Sequence, residues 1–308
     1  MNNSQAKNQE ILVLTYITKQ DNETIKIIGD ESLDLNEFSY GGLEPNFEEE
    51  IHNSLISYYG NKNPVPFYPR ESNKFELYDI ESEKLIKDNK FTYKKKGEHQ
   101  IKLVIKEKLG DISFMFQGCK NLKSIKGYID VSENKNFTGV FNGCYELTDI
   151  NDLKNWKVDK GDNFMWLFTG CESLEDISAL KDWNVNNGII FIAVFYGCSS
   201  LSNISPLENW NVSKGRTFLT MFSECQALKE VKALKNWDVS NGIIFAMMFS
   251  ECPSLIDISP LIGWDISKGK SFFCMFDHTP FMYSSTLFKE WKKKNLNIKD
   301  MGSLCAIF

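Results

Sequence analysis

From Phe114 onward the apolar residues return in step. Aligned on phenylalanine, units begin near Phe114, Phe137, Phe164, Phe191, Phe218, Phe245 and Phe272, the first interval being shorter than the 27 residues between the others. Trp156, Trp183, Trp210, Trp237 and Trp264 keep the 27-residue interval, and Cys144, Cys171, Cys198, Cys225 and Cys252 keep it 12 positions upstream. A period of this length predicts a repeat solenoid, in which each coil covers the open face of its neighbour. A middle copy, FIAVFYGCSSLSNISPLENWNVSKGRT, runs from Phe191 to Thr217, with apolar positions at Phe191, Val194, Phe195, Cys198, Leu201, Ile204, Leu207, Trp210 and Val212. Spacings of three and four alternate with shorter ones, so neither one helix nor one strand holds them all. The FxxxFxxC part has helical spacing, and LxxIxxL reads as extended or tightly turned. WxVSxG, with Gly161, Gly188, Gly215, Gly242 and Gly269, reads as a turn where glycine relieves a positive φ. Each coil then advances by about 5 Å, one strand spacing.

The flanks differ. Residues 1–110 do not repeat, and ILVLTYI, TIKIIG, KFELYDI and FTYKKKGEHQIKLVI have the alternation and β-branched content of strands. They predict a small β-rich domain whose last strand, His99 to Lys106, leads into the first coil and shields its open edge. The solenoid, mixed from short strands and helical turns in about six repeats, is expected over 111–280, and a cap helix with a tail over 281–308. In the seventh unit His278, Thr279 and Pro280 replace the Gly-Cys step, so the repeat is expected to fail there, with SSTLFKEWKKKNL forming the cap helix behind an N-cap at Ser284 or Ser285.

MFQGCKNLKSI, VFNGCYELTDI, LFTGCESLEDI, VFYGCSSLSNI, MFSECQALKEV and MFSECPSLIDI resemble the BspA-like leucine-rich-repeat family, whose units carry an MFxxCxxLxxI core and a W-D-V-S-N turn. The resemblance runs from Asp111 to about Pro280. It implies a leucine-rich-repeat fold that serves as a binding surface or an adhesin.

Composition narrows the function. A net charge of -6 and a pI near 5.3 argue against nucleic-acid binding, which needs a basic footprint on phosphate. No charged leader with a long apolar stretch opens the sequence, and no run of 18 apolar residues occurs, so neither secretion nor membrane spanning is expected. The cysteines recur singly, never as CxxC pairs, and read as buried free thiols of a reducing cytoplasm. The Cys119-to-Cys252 column and the tryptophan column are therefore expected to be core, with each indole nitrogen seeking a carbonyl. No metal and no cofactor are expected. With only His52, His99 and His278, and with no GxSxG, HExxH or P-loop pattern, the chain is not expected to be an enzyme and no catalytic residue is named.

Two outward features stand apart. A polar column, Asp149, Asp176, Asn203, Glu230 and Asp257, is either a solvated face or a stripe for a basic partner. The last four residues, Cys305 to Phe308, read as a prenylation box leaning toward geranylgeranyl, with Lys289, Lys292, Lys293, Lys294 and Lys299 upstream to meet an anionic leaflet. Together these predict a protein-interaction scaffold tethered through Cys305 to the cytoplasmic face of a eukaryotic membrane. The alternatives are a structural component of a large assembly without a lipid anchor, and a cell-surface adhesin.

Overall fold

A computed structural model describes residues 10–30, 67–280 and 285–294. Among the described residues seven strands precede or open the repeats: β1 (Ile11–Thr18), β2 (Glu23–Lys26), β3 (Phe75–Asp79), β4 (Lys84–Ile86), β5 (Lys90–Tyr93), β6 (Gly97–Ile105) and β7 (Leu122–Tyr128). Five form one antiparallel sheet in the order β4-β3-β6-β1-β7, and β2 pairs with β5 in a separate ribbon. The central strand β1 alternates between buried and part-buried positions, and Leu12, Leu14 and Tyr16 enter the core.

β7 joins the sheet to the repeats. It pairs antiparallel with β1, while Ser124 makes a parallel bridge to Asp149 of the next coil. The sheet therefore runs past residue 110 into the first repeat. His99–Lys106 lies inside the sheet between β3 and β1, and the strand that meets the next coil is β7, which belongs to the first coil itself. One continuous core follows, from Leu12 to Trp291.

Successive coils stack in parallel. Backbone bridges link Asn136, Asn163, Ile190, Thr217, Ile244 and Ser271 in turn, one residue per coil. Two phenylalanine ladders run inside. In one, Phe164, Phe191 and Phe218 lie 5.6 Å apart within 8° of parallel. In the other, Phe168, Phe195 and Phe222 repeat at 5.6 to 5.7 Å. Each ring pair adds about 0.5–1.5 kcal/mol beyond its buried area.

The FxxxFxxC segment is not helical. In the Phe164 coil, alternate amides reach the next coil: Phe164 N–H donates to Ile190 O at 2.9 Å, Trp166 to Ile192 O, Phe168 to Val194 O and Gly170 to Tyr196 O at 2.7 Å. The amides between them close tight turns, Leu167 to Phe164 O and Cys171 to Phe168 O. A helix would turn all these donors inward along its own axis. The break comes from left-handed backbone at Trp166, Ala193, Thr220, Met247 and Cys274, with φ from 49° to 56°, and at the Gly170 position four residues later. The helix-like apolar spacing survives because the turns bring Phe164, Phe168 and Cys171 to one side.

LxxIxxL ends in short 3-10 turns, among them Ser178–Leu180, Ser205–Leu207 and Lys232–Leu234. The following glycines do not have positive φ. A Cβ on Gly188 would lie 2.3 Å from Cζ of Phe191 and 3.1 Å from Val185 O, and Gly215 and Gly242 are equally confined. These glycines make room for the ring above them. Left-handed glycines sit instead at Gly118, Gly143, Gly170 and Gly197.

The stack continues further than expected. Thr279, 27 residues after Cys252, donates its hydroxyl to Phe249 O at 2.6 Å, as each column cysteine does one coil earlier. The C-terminal helix Ser285–Lys294 then places Trp291 one interval after Trp264, stacked on it at 6.3 Å within 12°. The helix supplies the final rung.

Candidate functional site

The thiol column comes first because thiols carry the most reactive chemistry in the repeats. Cys144, Cys171, Cys198, Cys225 and Cys252 are buried, and each donates S–H to a phenylalanine carbonyl of an earlier coil at 3.1 to 3.3 Å. Burial pushes all five thiols up, Cys252 to about 12, so at neutral pH they stay protonated and unreactive. They are polar rungs as well as filler. Among the described residues no cluster of His, Cys, Asp and Glu can hold a metal ion.

The tryptophans act alike. Trp183, Trp210, Trp237 and Trp264 donate their indole N–H to Leu153, Leu180, Leu207 and Leu234 carbonyls at 2.8 to 3.0 Å. Trp291 repeats the bond to Leu261 O. Trp156 has no such partner, because the position 30 residues earlier is Lys126 of β7, paired with Val13 of β1. Both interior columns are thus occupied by packing and hydrogen bonding between coils.

The outer polar column has local work. Asp149, Asp176, Asn203 and Asp257 each accept the backbone N–H of the residue two further on, at 2.8 to 3.0 Å, where the 3-10 turn begins. Lys126 also neutralises Asp149 at 2.5 Å. Glu230, one methylene too long for that turn, makes no such bond and is exposed. The Asp/Asn-x-Ser spacing in the sequence was the signal for these turns. Asn155, Asp182, Asn209 and Asn236, next to the tryptophans, are exposed.

The upstream lysines differ in their surroundings. Lys294 donates to Ile262 O at 3.2 Å and Trp264 O at 3.1 Å, and Lys293 pairs with Glu290 at 2.6 Å. These contacts fasten or stiffen the final helix, which leaves Lys289 and Lys292 exposed. Lys299 and Cys305 lie outside the described residues. No helix among the described residues is long and apolar enough to cross a membrane.

Sequence reasoning did not find one outer feature that the coiling creates. Gly118, Gly143, Gly170 and Gly197 stack directly, a Cβ on Gly197 falling 3.6 Å from Gly170 Cα. With no side chains there, the coil corner sinks into a furrow of about 500 Å³ lined by Asn142, Tyr145, Glu172, Tyr196, Glu224 and Gln226. Tyr145 lies beside the glycine floor with the Lys120 ammonium 5.5 Å from its ring, and Tyr196 hydrogen-bonds Glu224. Further along, the same left-handed position is held by Glu224, Glu251 and His278, which carry side chains where the earlier coils have glycine. Glu251 meets His278 Nδ1 at 2.8 Å. The change from glycine to charge at one repeat position was the available signal.

No curated protein and no solved structure matches the chain. The model of the family described as "Mycoplasma protein of unknown function, DUF285" matches twice in tandem, over 87–205 and 189–306, well over half the sequence. The two matches span the stacked coils, the first beginning among the strands that precede them, and the chain belongs to that repeat family.

Proposed function

We propose that this chain is a non-enzymatic solenoid scaffold that binds another protein along the outside of its coils. The glycine-floored furrow carries the proposal. Across successive coils the interior repeats the same phenylalanine, cysteine and tryptophan rungs, whereas the furrow combines exposed backbone with tyrosine and carboxylate and amide groups. Such a mix of aromatic contact and hydrogen bonding is characteristic of interface cores and rims. The likeness of the MFxxCxxLxxI units to BspA-like repeats supports the same class of activity.

Little in the described residues favours catalysis. His99 is buried against Tyr93 at 3.6 Å between ring centroids, and His278 is exposed between Glu251 and Asp277. The column thiols are held neutral. The prenyl anchor rests on Cys305 and its neighbours in sequence, with Lys289 and Lys292 available to an anionic surface. Intact mass of native protein decides it through loss of Ala306 to Phe308 and gain of the lipid.

The scaffold is tested by a photo-cross-linking side chain placed at Gln226, in the furrow, and separately at Lys181, an exposed position away from it. In the native cell a discrete adduct with one protein is expected from position 226 and none from position 181. Equal, diffuse labelling from both, or none from position 226, would remove the furrow as a docking surface.

A further inference from the structure

A second apolar layer lies outside the phenylalanine ladders. In the Phe164 coil, Phe164, Leu167 and Phe168 belong to the core between coils, whereas Met165 and Trp166 belong to a separate cluster. That cluster follows the stack through Met165, Ile192, Leu219 and Ala246, with Ile190 and Ile244 of the bridged column beside them and Phe114 at its start. The two clusters lie on opposite sides of one bridged backbone layer, and the second stands on the side turned away from the ladders.

This outward face is sealed. Met165, Ile192, Leu219 and Ala246 are fully buried, and Trp166 and Ala193 nearly so. Side chains in a row on one backbone layer shield each other's flanks but leave their tips to solvent. Asn163 Nδ2 and Thr217 Oγ1, in the bridged column of the same face, are also shut off from solvent, without a hydrogen-bond partner among the described residues. Yet the cluster takes no member from the seven strands, from the 3-10 turns or from the final helix.

We infer that this face is the docking surface of the chain's own residues 31–66, whose apolar side chains occupy it and leave other faces to partners. The ends of that segment place it. Tyr68 N–H donates to Gly29 O and Gly29 N–H to Met115 O, both at 2.9 Å, so the chain departs and returns beside Phe114, where the cluster begins. Burial is complete in the coils nearer that point and weaker at the far end, where Met247 and Phe273 are part-buried. From the Phe114 coil to the Ala246 coil there are five steps of about 4.8 Å, about 24 Å in all. Residues 31–66 number 36, and half of them reach about 27 Å even at the helical rise of about 1.5 Å. Phe47, Ile51, Leu55 and Tyr59 recur there at every fourth residue and supply apolar contact. The remaining stretches fit less well: 1–9 has only Met1 and Ala6 as apolar residues, 281–284 is too short, and 295–308 follows the final helix at the opposite end.

The test uses the full chain with an aromatic photo-cross-linking side chain in place of Trp166, an aromatic for an aromatic, and reads the adduct by digestion and mass spectrometry. The adduct is expected within residues 31–66 of the same chain, which a mixture of heavy-isotope-labelled and unlabelled protein distinguishes from a second copy. Phe47→Glu/Ile51→Glu should lower its yield roughly tenfold and raise bis-ANS fluorescence, because each carboxylate would have to enter an apolar layer. Ile256→Glu, at an isoleucine already exposed, should change neither. Circular dichroism checks folding, and the same cross-linker at part-buried Met247 serves where the Trp166 position disturbs it. An adduct between chains, an adduct confined to residues outside 31–66, a yield untouched by Phe47→Glu/Ile51→Glu, or no adduct would overturn the inference. The cross-link at position 226 reads a different surface and stands or falls by itself.

Discussion

Raising the pH from 8 to 10 is expected to bring the protein close to global unfolding. Burial raises the folded-state values of Cys144, Cys171, Cys198, Cys225 and Cys252, while in an unfolded chain each thiol titrates near about 8.5. Below that value both states hold the proton, and the thiols add no pH dependence. Above it the unfolded chain releases protons that the folded chain retains, so stability falls by about 1.4 kcal/mol per thiol for each further pH unit, until the folded thiols themselves titrate. At pH 10 the loss is about 2 kcal/mol per thiol, on the order of 10 kcal/mol for the column, comparable to the whole stability of a typical domain. Denaturant titrations at a series of pH values read this slope. Cys198→Thr, which copies the hydroxyl already used at Thr279, should move the alkaline transition upward and reduce the slope by one proton. Stability that stays flat to pH 10 would mean that the thiols reach solvent.

Trp210→Ala is expected to lower stability by about 3–5 kcal/mol in guanidinium unfolding. The indole is buried with Phe191 and Phe195 each 6.4 Å from it, and its loss opens a cavity between two ladders. It also strands Leu180 O, the acceptor of the indole N–H at 3.0 Å. Because each coil touches mainly its neighbours, the damage should fall between the N-terminal and C-terminal coils and broaden the transition as well as shift it. Trp210→Phe keeps much of the ring contact and should cost less. An unchanged midpoint in Trp210→Ala would place the tryptophans outside the core.

The interior columns were legible because a contact repeated from coil to coil demands the same side chain at the same interval. Phe164 meets Phe191 and Phe191 meets Phe218, and the sequence records that demand directly. Backbone conformation was less legible. Trp166, Ala193 and Thr220 take left-handed φ with no glycine to mark them, held there by amides that bond to the next coil. Gly188 was read as conformational when its role is steric, since the Phe191 ring that needs the space lies three residues on. Trp291 and Thr279 kept the 27-residue step, but a cap helix and a missing cysteine disguised them. The outer surfaces were hardest to see. The furrow is defined by side chains that are missing, at Gly118, Gly143, Gly170 and Gly197, and the outer apolar layer by Met165, Ile192 and Leu219, which directly follow ladder phenylalanines and so look in sequence like part of the same core.

The central claim is that aromatic and thiol rungs are sealed between stacked coils. Peptide-resolved alkylation of the folded protein tests it most directly, with iodoacetamide at pH 8 and denaturant raised in steps. Cys144, Cys171, Cys198, Cys225 and Cys252 should remain unmodified in native buffer and become reactive only as the coils open. Alkylation of these cysteines in native buffer at the rate of an exposed thiol would contradict the account.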